Sequence, residues 1–217
     1  MKLTRIHQIE ISSRCNLRCR YCPHPRLQRP KVDMGWSTFH AAMSWAMTLD
    51  GPELSFTGMG EALLHPQAAD YLSRARAMMP DTRFLLATNG IALDEEKCLL
   101  LKRLDVEVFI STHRPEVAGP AVERAARHGL KGAINTQFVN SGFDWAGQVQ
   151  WANLAPKSTC QYLAQGWGTV LVNGNIVNCC MDAHGLYPYG HVLTSKIEEL
   201  DMKPIPLCEK CHLTVPI

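Results

Sequence analysis

The sequence predicts an α/β chain, a partial (β/α)6 barrel with a small C-terminal β-hairpin/helix extension. Three observations predict it. Strand-like runs of four to eight residues alternate with helix-like segments as far as about Pro156. Repeated βαβ units require parallel strands joined by right-handed crossovers. Past that point the pattern changes to short β-runs around Asn173-Gly174, a turn-rich "DAHGLYPYG" and a cysteine pair.

The elements follow in order. The first strand is "RIHQIEIS", Arg5–Ser12, and the helix after it, "STFHAAMSWAMTL", takes Ser37 as its cap. The second strand, Glu53–Gly58, leads to a helix with Pro66 in its first turn. The third, Arg83–Asn89, precedes a helix capped by Asp94. The fourth, Val106–Thr112, precedes "PEVAGPAVERAARHG", which closes on Gly129. A fifth strand, Gly132–Val139, and a sixth, Val149–Leu154, are joined by a short, weakly helical link. "GTVLVNGNIVNC" then reads as a hairpin, and "SKIEEL" as a short helix. Two domains are expected, 1–156 and 157–217.

Composition narrows the function classes. The net charge of +2, with 19% charged residues, gives no basic footprint for nucleic acid. The longest apolar runs, such as "VFIS" and "TVLV", are far too short to span a membrane. "MKLTRIHQIEIS" alternates like a strand and lacks a signal-peptide pattern, so a cytoplasmic protein is expected. Nine cysteines are many for 217 residues. Their odd number and the missing export signal argue against a disulfide framework and for metal or iron–sulfur binding. Cys98, among the helix residues "EEKCLLLKRL", reads as a packing thiol.

Cys15, Cys19 and Cys22 form C-x3-C-x2-C directly after the first strand. In parallel α/β architectures that strand end is where ligands bind. Three thiolates can hold three corners of a four-iron cluster and leave the fourth iron open, as a catalytic zinc site keeps one position free.

With Tyr21 before its last cysteine, this loop resembles that of the radical S-adenosylmethionine enzymes. "TGMGEALLHP" resembles their Gly-Gly-Glu segment, with Met59, Gly60 and Glu61 in the motif positions and Ala62 where proline is common. "LLATNG" and "FISTHRP" resemble their third and fourth strand ends. "GAINTQFV" keeps Gly132 and Ile134 of the fifth but lacks the later glycine and acid. The resemblance implies a TIM-like partial barrel and a [4Fe–4S] cluster on Cys15, Cys19 and Cys22 that chelates S-adenosyl-L-methionine. It assigns the ammonium to Glu61 and to backbone near Met59 and Gly60. It brings the backbone at Tyr21, and Ile134, to the adenine. It leaves ribose or carboxylate contacts to Thr88, Asn89 and Ser111. The reaction implied is reductive cleavage to a 5′-deoxyadenosyl radical that abstracts hydrogen from a C–H bond. A reductant such as flavodoxin or ferredoxin is the implied partner.

Thirteen residues separate Cys160 from Gly174, four separate Gly174 from Cys179, and Cys208 and Cys211 form C-x2-C. This resembles the Twitch domain, the shortened SPASM extension. It implies one auxiliary [4Fe–4S] cluster on Cys160, Cys179, Cys208 and Cys211, with Cys180 an alternative to Cys179. A four-thiolate zinc site is the competing reading. Asp182 is the expected proton acceptor and Arg114 the expected partner of an anionic substrate group, with His113, His184, Tyr187 and Tyr189 nearby. The expected reaction is an oxidation (dehydrogenation) or rearrangement of a small polar metabolite, since the first strand begins near Arg5 with no peptide-recognition domain ahead of it. The alternatives are modification of a peptide or protein, modification of a nucleotide or nucleic-acid base, and a non-enzymatic iron–sulfur or zinc binding module.

Overall fold

Alternating burial along short strands sets the layout. In β3 (Arg83–Thr88), Phe84, Leu86 and Thr88 are buried, and in β4 (Val106–Ser111), Val106, Val108 and Ile110 are. β1 (Arg5–Ile9) is buried at every position after Arg5, as expected for a strand covered on both faces. A computed structural model describes residues 1–111, 114–135, 145–149 and 160–211 of the chain. β2 (Glu53–Ser55) and β5 (Gly132–Asn135) complete a parallel set. The order is β5-β4-β3-β2-β1, with Gln8 opposite Ser55 and Phe84 opposite both Leu54 and Val106.

α1 (Trp36–Leu49) and α2 (Ala68–Met78) cover this sheet with Phe39, Met43, Tyr71 and Leu72, all fully buried. Each such side chain contributes roughly 1.5–3 kcal/mol relative to exposure. Both helix starts differ from expectation. Ser37 lies inside α1, whose N-cap is Gly35 without a side-chain bond, because the apolar face begins at once with Trp36 and Phe39. Pro66 precedes the N-cap of α2, Gln67, whose N–H donates to His65 Nδ1 at 3.0 Å and holds that turn outside the helix. Asp94 does cap α3 (Glu95–Arg103), accepting from Lys97 N at 2.8 Å. α4 (Pro115–Arg127) releases the chain at His128-Gly129.

Thr112, residues 136–139 of the expected fifth strand, residues 150–154 of the sixth and the boundary at 156/157 lie outside the described residues. After α5 (Gln161–Ala164), the hairpin forms as β6 (Trp167–Val170) and β7 (Asn175–Val177). Gly174 turns it at φ +90, where a Cβ would meet the His191 ring at 2.7 Å. The hairpin is not set apart from the barrel sheet. β6 runs parallel to β1, Arg5 opposite Trp167, and β7 pairs β8 (Gly190–His191), so eight strands form one sheet. The Arg5 guanidinium sits 3.6 Å from the Trp167 ring centroid across this junction. Among the described residues no helix is long and apolar enough to cross a membrane.

Candidate active site

The chain leaving β1 makes a long loop that closes on itself. Ser12 Oγ donates to Asp33 Oδ1 at 2.8 Å, Ser13 N to Val32 O and Val32 N to Ser13 Oγ, each at 2.9 Å, and Arg14 pairs with Asp33 at 2.6 Å. This frame presents Cys15, Cys19 and Cys22 to a cavity of ≈ 220 Å³ at the C-terminal ends of β1 to β4. Backbone N–H groups of Leu17 and His24 donate to the sulfurs of Cys15 and Cys22 at 3.5 and 3.4 Å. Burial pushes the Cys22 thiol up to about 11 and Cys15 in the same direction. Held by protein alone, such thiols stay protonated near neutral pH. A cationic metal group reverses that preference, so the donor set fits one.

The opposite wall of the cavity is Met59, Gly60 and Glu61 after β2, then Thr88 and Asn89 at the end of β3. Glu61 is 3% exposed. Its carboxylate accepts from Thr88 Oγ1 at 2.9 Å, Asn89 N at 2.8 Å and Leu63 N at 3.3 Å. Burial raises its pKa, and these three bonds oppose the rise. Glu61 N donates to Arg14 O at 2.7 Å, so the same residue clasps the cysteine loop to the sheet. Gly60 lies hard against that loop, and a Cβ there would stand 2.3 Å from Ser12 O. Asn89 Nδ2 donates to Asn16 Oδ1 at 2.8 Å, inside the loop.

The other expected contacts divide. Ser111 and Tyr21 line the cavity, and Tyr21 O accepts from the indole of Trp145 at 3.0 Å. Ile134 is in β5, paired with Ile110. Arg114 is exposed, bonds to Glu116 at 2.7 Å, and lines a neighbouring hollow with Arg18 and Arg20 rather than the cavity. Asp182 is fully buried, and its carboxylate accepts from Leu186 N at 2.9 Å and Tyr187 N at 2.8 Å. That placement makes Asp182 the organiser of a turn and keeps it from the cavity. His113 lies outside the described residues.

A second cavity gathers Cys160 at the start of α5, Cys179 after β7, Cys208 in the turn Pro206–Glu209 and Cys211 just past it. Tyr162, Met181, Ile205 and Leu207 complete an apolar lining. Cys179 and Cys180 part company: Cys179 lines this cavity and Cys180 the first. Burial, then the neighbouring Cys180 thiol, raises Cys179 well above its ordinary value. Asn178 also lines this cavity. It is 1% exposed, and neither its amide nitrogen nor its oxygen has a hydrogen-bond partner among the described residues. Cys98 is in the main core.

One feature of the site carries no sequence signal. Glu10 is 1% exposed and pairs with Arg29 through two bonds of 2.7 Å. Glu10 also accepts from Met59 N at 2.8 Å and Val172 N at 3.1 Å, while Arg29 Nε donates to Ala183 O at 2.8 Å. The pair therefore joins the cysteine loop, the segment after β2, the hairpin and the turn following Cys180.

Residues 9–128 match the radical SAM superfamily. The PqqA peptide cyclase of Gluconobacter oxydans (strain 621H) is 32% identical over 125 residues, 57% of this chain and 33% of that protein. The S-adenosyl-L-methionine-dependent 2-deoxy-scyllo-inosamine dehydrogenase of Niallia circulans is 29% identical over 113 residues, 51% of this chain and 45% of that protein. The matches span less than half the length of either relative. The crystal structure of BtrN in complex with AdoMet and 2-DOIA is similar with a TM-score of 0.73 at 22% identity, covering 91% of this chain and 82% of that one. Native anSMEcpe with bound AdoMet and Cp18Cys peptide gives 0.65 at 14%, covering 97% and 86%. At such identities the likeness is one of fold.

Proposed function

This chain belongs to the radical SAM superfamily, and its sheet is a partial TIM-like barrel; on that footing we propose that it oxidises a small polar metabolite by hydrogen abstraction. The carrying observation is the first cavity, where three thiols on one loop face Gly60-Glu61 and Thr88-Asn89 from adjacent strand ends. Together, a bound four-iron cluster and S-adenosylmethionine supply a 5′-deoxyadenosyl radical after one-electron reduction.

The protein's part is position and exclusion of water. Cys15, Cys19 and Cys22 would hold the cluster and leave one corner for S-adenosylmethionine. Glu61, fixed by Thr88 and Asn89 N, offers its remaining acceptor capacity to the ammonium. Met59 and Gly60 let backbone approach closely. Asn89 and Ser111 would serve the ribose and carboxylate, and the backbone at Tyr21, braced by Trp145, would serve the adenine. Arg114, beside Arg18 and Arg20, fits the docking of an acidic electron donor of the flavodoxin or ferredoxin kind better than a substrate group.

Cys160, Cys179, Cys208 and Cys211 would hold a second four-iron cluster. The Cys160–Gly174–Cys179 spacing and the C-x2-C pair, which resemble the Twitch domain, favour a four-iron cluster over a four-thiolate zinc site here, and the four cysteines line one cavity. As acceptor of the electron left on the substrate radical, with that radical's proton released to water, such a cluster would make dehydrogenation the outcome. The relative of Niallia circulans, a dehydrogenase, supports this reading. Peptide modification is the second reading, favoured by the 32% identity to a peptide cyclase.

Anaerobically reconstituted protein should carry about eight irons per chain. On reduction it should release 5′-deoxyadenosine and methionine, and a deuterated polyol or amino-polyol screen should put deuterium into the 5′-deoxyadenosine. No 5′-deoxyadenosine under any reductant would sink the proposal, and deuterium transfer only from a peptide would replace it with the second reading.

A further inference from the structure

Asn178 has no structural reason to be where it is. A buried amide without partners costs roughly 1–3 kcal/mol, and native chains seldom keep one. Local structure does not require an asparagine there, since the residue follows β7 and caps nothing. Its neighbours across the cavity are four sulfurs and apolar side chains. We propose that Asn178 donates a hydrogen bond from its side-chain amide to a sulfur of the cluster held by Cys160, Cys179, Cys208 and Cys211, and so raises that cluster's reduction potential. The proposal rests on the second-cluster reading above.

The direction follows from charge. Thiolate and sulfide sulfurs only accept, so they complement the Asn178 N–H and not its carbonyl, which fixes the amide end that faces them. Reduction adds negative charge to the sulfurs, and a donor stabilises the reduced form more than the oxidised one. Hydrogen bonds to the sulfurs are among the settings of iron–sulfur potentials. A higher potential makes this cluster the better sink for an electron leaving a substrate radical.

The full chain, reconstituted with both clusters, is titrated potentiometrically by electron paramagnetic resonance. Asn178→Leu and Asn178→Ala, which remove the donor without adding a charge, should lower the midpoint of the second cluster and leave that of the first unchanged. Wild-type protein grown with side-chain 15N-asparagine should show a 15N coupling to the reduced second cluster. Absence of that coupling overturns the proposal even if neither variant loads iron, and so does an unchanged midpoint in a variant that loads. Failure of the reading beneath it looks different: wild-type protein would hold only about four irons, and Cys208→Ser would remove none.

Discussion

The two cysteine cavities use one residue type for opposite ends. The first has three thiols on one loop with Cys180 beside them, and its wall adds a carboxylate, an amide, hydroxyls and close-packed glycine backbone to apolar Leu17, Met59 and Trp145. The second has four thiols, and the rest of its wall is Tyr162, Met181, Ile205 and Leu207 with one unpartnered amide. An incomplete thiol set beside polar groups leaves work for a second ligand. A complete set among apolar groups would leave an occupant no open position for a second ligand. The walls are also held differently. A hydrogen-bonded carboxylate, Glu61, braces the first. The second leans on aromatic packing, Tyr162 against His7 and Trp167.

Removing one ligand from each cavity separates them most sharply. Cys19→Ala should abolish 5′-deoxyadenosine formation, a loss beyond the roughly 10–100-fold typical of an outer-shell partner. Cys208→Ala should keep reductive cleavage within about tenfold of wild type while substrate oxidation is lost. Chromatography of 5′-deoxyadenosine and substrate product from the two variants decides it. Equal loss of cleavage in both would mean that the cavities do not divide the work.

The Glu10–Arg29 pair is shared, so it tests whether the cavities are independently built. Arg29→Met leaves a buried carboxylate without its cation and should cost about 3–5 kcal/mol in urea unfolding of the metal-free protein. Glu10→Leu with Arg29→Met should recover most of that, since an apolar pair of similar volume removes both desolvation penalties. If the double variant is folded yet incorporates iron poorly at both sites, the pair's bonds to Met59 N, Val172 N and Ala183 O set the geometry of both. Normal loading in the double variant would confine the pair to stability.

What the sequence displayed of this was local. The C-x3-C-x2-C spacing, the alternation in β3 and β4, the Asp94 cap and the Asn173-Gly174 turn each lie within a few residues, where one period or one conformation dominates. Ser37 and Pro66 misled because a serine cap or a first-turn proline can begin a helix, but an apolar face and the His65 turn chose the start. Glu10 and Arg29 are nineteen residues apart and read as an ordinary strand acid and loop base. Asn178 reads as a hairpin residue until the fold leaves its amide without a partner among the described residues. The pairing of β6 with β1 spans 162 residues from Arg5 to Trp167, beyond any local pattern.

The different bracing of the walls predicts a smaller, pH-dependent contrast. His7, behind Tyr162 with ring centroids 4.9 Å apart, is held neutral, its pKa lowered to about 3 by burial first and the Arg5 charge second. The unfolded chain binds that proton near its ordinary value of about 6.5. Between those values the unfolded state holds the extra proton, so stability present above about pH 6.5 falls as pH drops toward 3. His7→Phe keeps the aromatic packing and has no proton to take up. Its unfolding free energy should lose less than wild type does between pH 7 and pH 5, with the two nearly parallel above pH 7. Parallel curves over the whole range would show that His7 is charged in the fold or that the wall opens to water, and the contrast between a charge-braced and an aromatic-braced cavity would lose its support.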